Sequence, residues 1–405
     1  NITLMVEQIQ NDMRHTFLLF MPDATNRAYS KAPFFDEAKR RYEPMMGDAS
    51  IEVVRETKKL LEIIAVLGGQ WPHSSFMVPG GVVCQPSPGD ILICRHLLRN
   101  FRRWYEQKVL GCSMDRWLEV ETVSDLDRWL NESRPCKESE LGFFIDFCKL
   151  AGLDRKGGGH HNFISFGSLE MPEKTVVSPG PEKGFLRASG FFKDGKKMNF
   201  SQVQITEDTT YSHLAGGRIP KHPFDGKTVS AEVKPGGSQY TWGKAPRYNG
   251  LPAETGPLAE ALVNENPLYT EMVKNCGPTV FARQMARITR TTHLVNVIDE
   301  WLGEMISSKS AYFQEYELID SCSGFGLVQA PRGALGHWVT LEGGKIKNYQ
   351  IITPTAWNAS PRDAGEVKGP MEEAIVGIEV KEIDNPVEVE HVVRSFDPCL
   401  VCTVH

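Results

Sequence analysis

The last nine residues read Asp397-Pro398-Cys399-Leu400-Val401-Cys402-Thr403-Val404-His405. Two thiolates three positions apart can bind one metal from a single turn, and a polar group at residue 405 offers a further ligand. Alone, Cys-x-x-Cys leaves open a thioredoxin-like redox pair, half of a zinc site, or chance. The redox reading fails on context, because that motif opens a helix inside a βαβ unit and needs chain after it. A zinc site would take Cys399, Cys402, His405 and one more ligand. A structural zinc pair is usually answered by a second Cys pair, and the 405 residues hold no second Cys-x-x-Cys. Residue chemistry therefore favours a metal site without naming the metal.

The other seven cysteines, Cys84, Cys94, Cys112, Cys136, Cys148, Cys276 and Cys322, show no short pairing. Nine in 405 residues is too few for a disulfide scaffold, so most are expected to be buried free thiols. Hydrophobic residues at 41 % and charged residues at 24 % describe a globular chain with room for one large core or two to three ordinary ones. Lys plus Arg is 45 against 51 for Asp plus Glu, a net charge of −6, which gives nucleic acid no electrostatic footing. Apolar runs such as Leu61–Gly68 stop far short of a membrane span, and the first residues carry no basic-then-apolar leader. The chain is thus expected neither to cross a membrane nor to carry an export signal.

Upstream, Ile9, Met13 and Phe17 recur at helical spacing, as do Leu60 and Ile64 before a stop at Gly68-Gly69. Asp90 precedes a stripe of Ile91, Cys94, Leu98, Phe101 and Tyr105 that closes at Gly111. Three such helices suggest a bundle. From Gly157 the pattern turns to irregular β structure, with turn signals at Pro179-Gly-Pro and Lys193-Asp-Gly-Lys. Residues 236–242 and 244–250 read as loop. Helical periodicity returns after Pro257, with Ile288, Thr292, Val295, Ile298 and Leu302 on one face, and a hairpin follows from Leu335 to Ile352 around Glu342-Gly-Gly-Lys345. The expectation is an α+β, predominantly helical fold, a long-helix bundle with small β-rich insertions. It forms one domain over 1–405, with parts 1–155 (helical), 156–255 (β-rich), 256–320 (helical) and 321–405 (hairpin and metal-binding).

Two further segments carry chemistry. Ala330-Pro331-Arg332-Gly333-Ala334-Leu335 breaks the chain before a strand, so Arg332 projects from a fixed corner as an anion- or ligand-facing guanidinium, or as an ordinary surface arginine. Pro354-Thr355-Ala356-Trp357-Asn358-Ala-Ser-Pro-Arg362-Asp363 forms a rigid, polar-lined corner at a strand exit.

Together with the terminal Cys-x-x-Cys-x-x-His, these segments resemble the large subunit of nickel–iron hydrogenases. Gly68-Gly-Gln-Trp-Pro-His73, Val78-Pro-Gly-Gly81, Gly256-Pro-Leu-Ala259 and Gly369-Pro-Met-Glu-Glu-Ala-Ile-Val-Gly377 add to the likeness, which runs from Asn1 to His405. The resemblance implies that Cys399 is a terminal nickel thiolate and that Cys402 bridges nickel and iron. His405, left after a maturation protease trims the precursor, and the carbonyl of Ile351 would bind magnesium or a similar cation. Arg332 would lie over the metal pair, and Pro331, Arg332, Pro354 and Thr355 would line the pocket for the iron's cyanide and carbonyl ligands. Soft thiolates suit nickel and iron, and bound cyanides need donors such as Arg332 and Thr355.

The family's other Cys-x-x-Cys, near its N-terminus, and a nearby proton-transfer glutamate have no counterpart, since no cysteine precedes Cys84. Two further thiolates are therefore expected from a separate or missing N-terminal segment. The start at Asn1 rather than Met fits that expectation.

The implied reaction is reversible heterolysis of dihydrogen in an uptake hydrogenase, with Cys399 as base and Arg332 holding charge in the pocket. Electrons would leave to a small subunit carrying iron–sulfur clusters. That partner would meet an apolar face involving the N-terminal helices and the Gly157–Gly167 region, where His73, His160 and His161 are candidates or plain structural histidines. A dimer of such heteromers, membrane-associated through partners on the periplasmic side, completes the expectation. The alternatives are a hydrogen-sensing regulatory hydrogenase and a metal-free homologue like the quinone-reaction subunit of respiratory complex I.

Overall fold

A computed structural model describes residues 1–170, 185–217, 219–233, 236–307, 311–317 and 319–403. The turn expected at Pro179-Gly-Pro and the side chain of His405 lie outside these residues. The chain divides into two compact units, one of residues 1–151 and 287–318, the other of 152–286 and 319–405.

The first unit is helical. Helix Ile2–Arg14 widens into a π-helical turn at His15–Phe20, so Ile9, Met13 and Phe17 stay buried on one side. It packs on helix Asp48–Gly68, which packs in turn on Pro88–Trp104. Ser87 and Asp90 close a capping box on the third of these helices, satisfying N-terminal amides that would otherwise lack partners. Gly69 (φ +82°) and Gly111 (φ +69°) end two of the runs where a side chain would be strained. Thr292, Val295, Ile298 and Leu302 of helix Val280–Ser307 are buried, as the periodicity predicts. In the same unit Arg290 holds the buried Asp12 through two hydrogen bonds of 2.8 Å.

The second unit is built on small antiparallel sheets. Asn162–Glu170, Phe185–Lys193 and Lys196–Met198 form one, its last turn made by Asp194 (φ +48°) and Gly195 (φ +80°). Cys322–Ala330, Gly333–Glu342 and Lys345–Ile352 form a meander, in which Gly343 (φ +58°) and Gly344 (φ +67°) make the expected two-residue turn. Its core gathers Ile164, Phe166, Phe191, Trp338, Ile352 and Trp357. The fold is thus α+β and predominantly helical with small sheets, as the sequence implies.

Three details differ from the sequence reading. Residues 245–248, read as loop, pair as a strand with Ile205–Asp208, and the buried Arg247 on that strand is held by Asp363, Ser360, Pro361 and Val367. Strand Cys322–Ala330 has too much glycine and too weak an alternation to announce itself. Of the seven cysteines expected to be mostly buried, Cys94, Cys136 and Cys148 are, while Cys112 and Cys322 are half-buried and Cys84 and Cys276 are exposed. No helix among the described residues is long and apolar enough to cross a membrane.

Candidate metal centre

The site grows from the corner at Pro331-Arg332-Gly333 in the second unit. Gly333 has φ +132°, and a Cβ there would lie 2.6 Å from the Thr255 hydroxyl oxygen, so only glycine fits. That hydroxyl accepts the Ala334 N–H at 2.8 Å and donates to the Ile164 carbonyl at 3.0 Å. Asn358 clamps the same threonine from the other side, donating to its carbonyl and accepting from its N–H, each at 2.9 Å. Both motifs that the sequence singles out, around 332 and 358, are therefore fixed to Thr255.

Arg332 leaves this corner with its Nε–H donated to Asp397 Oδ1 at 2.9 Å. Its side chain is 37 % exposed and that of Asp397 1 %. Asp397 takes φ +53°, a left-handed conformation uncommon outside glycine. The residue before it, Phe396, lies under the Arg283 guanidinium, 3.9 Å from carbon to ring centroid. Arg283 is in turn held by Glu254 through two 2.8 Å bonds and donates to the Gly157 carbonyl at 2.7 Å. Buried ionic and stacking contacts thus set where residues 396–399 run.

Cys399 and Cys402 then share one short turn, Cα atoms 5.3 Å apart, with the sulfurs drawn together as a disulfide. In a metal-loaded site these sulfurs would be separate thiolates facing a common ion. Thr355 Oγ1 accepts the Cys399 N–H at 3.2 Å, and the Thr353 hydroxyl donates to the Cys402 carbonyl at 2.7 Å. Pro354 stands between the two threonines as a first-turn residue of the short helix Pro354–Asn358, where its missing N–H costs nothing. Two convergent soft sulfurs, a hydroxyl and a guanidinium fit a thiolate-bound metal carrying anionic ligands. Among the described residues no group of three or more His, Cys, Asp or Glu side chains gathers to complete an ion's coordination.

Ile351 sits at the end of the meander, paired with His337. Its neighbour Gln350 is buried and accepts from Lys244 Nζ at 2.8 Å and from the Thr228 hydroxyl at 2.9 Å. Lys244 also donates to Glu207 at 3.0 Å, and burial raises the Glu207 carboxyl above its ordinary range despite this cation. Glu207 and Lys244 border a 410 Å³ cavity.

Sequence reasoning misses Asp397, Thr255, Glu254 and Arg283 as positioning groups. Asp397 lay within a quoted motif, but nothing local marks its bond to a residue 65 positions away. The histidines fare differently from one another. His160 is hydrogen-bonded to the Lys368 carbonyl at 2.9 Å, while His73 and His161 are exposed. Phe163, Ile164 and Phe166 of the Gly157–Gly167 region belong to the core.

The periplasmic NiFeSe hydrogenase large subunit of Desulfomicrobium baculatum is 30 % identical over 364 residues, covering 85 % of this chain and 63 % of that protein. The uptake hydrogenase large subunit of Afipia carboxidovorans is 31 % identical over 419 residues, covering 94 % and 66 % respectively. The chain spans less than two thirds of the length of these curated relatives. Among solved structures, the reduced Ni-Fe-Se hydrogenase of D. vulgaris Hildenborough superposes with a TM-score of 0.78 at 26 % identity, covering 100 % of this chain and 81 % of that one. Residues 45–405 match the family model for nickel-dependent hydrogenases, and with the fold in agreement the chain belongs to that family.

Proposed function

We propose that this chain forms most of the catalytic large subunit of a nickel–iron hydrogenase working in hydrogen uptake. The observation that carries the reading is the convergence of Cys399 and Cys402 on one turn that Thr353, Thr355 and the Asp397–Arg332 pair hold in place. Cys399 and Cys402 hold the nickel–iron centre, with two further thiolates supplied from sequence outside these 405 residues. The Ile351 carbonyl and His405 hold a magnesium-like cation. Bound there, the bimetallic group supplies heterolytic cleavage of dihydrogen and accepts its electrons.

The chain's residues do the rest. Cys399 Sγ receives the proton, because a thiolate lowered into the neutral range by a cation is a competent base there. Arg332 stays charged, since a guanidinium is not deprotonated in proteins. Asp397 fixes its Nε, leaving the Nη groups to donate to anionic ligands and to stabilise charge that develops in the pocket. Thr355 accepts the Cys399 N–H, so its own hydroxyl hydrogen is left to donate. Pro331 and Pro354 offer no N–H of their own and wall the site against water. Electrons pass to a small subunit carrying iron–sulfur clusters, a partner that the large-subunit names of the relatives support. A periplasmic location is in keeping with the printed name of one relative, a periplasmic hydrogenase large subunit, and association with the membrane would come through partner subunits.

The test is metal analysis of the purified complex with infrared spectroscopy. Nickel and iron in equal amounts, with bands of iron-bound cyanide and carbonyl, are expected. Cys399→Ala or Cys402→Ala should abolish nickel retention and hydrogen-dependent dye reduction. Protein from nickel-fed cells that holds neither metal, or a Cys399→Ala variant that keeps its turnover, would overturn the reading.

A further inference from the structure

In the helical unit a second pair of thiols, Cys112 and Cys136, comes together with no role in the proposed metal centre. Cys136 caps the back of the turn at Gly111, where its Sγ lies 3.7 Å from the carbonyl of the peptide joining Gly111 to Cys112. The approach is close enough that a Cβ on Gly111 would stand 2.8 Å from the Cys136 Cα. The two sulfurs are near enough to influence each other's ionisation directly. Each is also oriented by its own donor. Trp129 Nε1 donates to Cys112 Sγ at 3.2 Å, and the Ser133 hydroxyl donates to Cys136 Sγ at 3.1 Å. Cys136 is buried and Cys112 half-buried, so Cys112 is the more exposed residue of the pair. Glu132 Oε1 lies 3.6 Å from Cys136 Sγ while its Oε2 is held by Arg116 at 2.6 Å.

We infer that Cys112 and Cys136 are an oxidisable dithiol, in which Cys112 is the entry sulfur, Cys136 the resolving sulfur and Glu132 the base, for oxidants of the small-molecule disulfide class. The chemistry balances in two displacements. The Cys112 thiolate attacks one sulfur of the oxidant, forming a mixed disulfide and releasing the first thiol. Cys136 then gives its proton to Glu132 and attacks Cys112 Sγ, breaking the mixed disulfide and releasing the second thiol. Two electrons and two protons have then passed from the cysteines to the oxidant, and the new bond ties the Gly111 turn to helix Arg134–Glu138. Burial pushes the Cys112 thiol up to about 11, so the reaction is slow at neutral pH and belongs to sustained oxidising conditions rather than to rapid signalling.

The experiment incubates the purified, assembled enzyme with glutathione disulfide, then alkylates free thiols and maps peptides by mass spectrometry. A Cys112–Cys136 crosslink reversible by dithiothreitol is expected, its rate rising about tenfold per pH unit between roughly pH 7 and 9 as the thiolate fraction grows. Cys136→Ser should trap glutathione on Cys112, and Glu132→Gln, which keeps the shape of the site, should let that adduct accumulate before the crosslink forms. Cys112→Ser should leave Cys136 unmodified. A stable glutathione adduct on Cys112 in the unmutated protein, with Cys136 still open to alkylation, would overturn the inference. So would failure of both to react while the exposed Cys84 and Cys276 are fully converted.

Discussion

Arg247 and Arg332 sit in the same unit and are put to opposite uses. Arg247 is buried and spends every donor on the chain: Nε on Asp363 at 2.7 Å, Nη1 on Pro246 and Ser360, Nη2 on Pro361 and Val367. Arg283 follows the same pattern with Glu254, the Gly157 carbonyl and the Phe396 ring. Arg332 commits its Nε to Asp397 and remains over a third exposed. An arginine whose donors are all satisfied internally is part of the scaffold, and one tethered by a single nitrogen is aimed at something else. The contrast separates structural from functional guanidinium groups by their hydrogen-bond inventory.

The strongest way to break this contrast is Arg283→Met, which leaves Glu254 buried without its cation. A loss of about 3–5 kcal/mol in urea unfolding is expected, and wild-type stability would remove Arg283 from the scaffold class. Arg332→Lys tests the other side. Stability should change by under about 1 kcal/mol because the pair is partly solvated, while hydrogen-dependent dye reduction falls about 10²-fold at unchanged nickel content, as for loss of a charge-stabilising donor. Activity within a few-fold of wild type would return Arg332 to the bland surface reading.

His391 sharpens the comparison as a buried base that burial holds neutral. Burial, then Arg394 and Lys156, hold it down to about 3. The folded state binds its proton more weakly than the unfolded chain, so stability is full above about pH 6.5 and declines as pH falls toward 3. His391→Leu should flatten the decline, and the difference between the two proteins should reach about 2 kcal/mol near pH 5. Parallel pH profiles would show that the histidine is not held neutral. Smallest of all, Thr355→Val should cost about 1 kcal/mol by stranding the Cys399 N–H, together with a shift of the infrared cyanide bands if its hydroxyl donates there.

Local pattern made the helices and the terminal thiol pair legible. The stripe from Ile288 to Leu302 and the turn at Gly343-Gly344 are short-range signals, and the structure carries both. The strand at 245–248 was not legible, because Lys-Ala-Pro-Arg lacks alternation and is stabilised by Asp363, more than a hundred positions away. Asp397 was hidden for a similar reason. Its neighbours Pro398 and Cys399 explain the motif on their own, and only folding brings Arg332 to it. Glu254 and Arg283 look like any solvated charges until burial forces them together. Groups that bind chemistry show in composition and spacing, whereas groups that aim them show only in three dimensions.

The threonines on either side of Pro354 have a kinetic consequence. Leu400 and Val401 are 84 % and 82 % exposed, so the turn that bears both sulfurs buries little apolar surface, and its docking leans on the bonds to Thr353 and Thr355. Two such bonds are worth about 2 kcal/mol, which places a detached turn at roughly a few per cent of molecules. The meander and the Thr255–Asn358 clamp do not depend on it. Before any metal binds, the turn beyond the Asp397 anchor is therefore the least tightly docked part of the site, and amide exchange at Cys399 and Cys402 in the metal-free protein should be the fastest among the site's hydrogen-bonded residues.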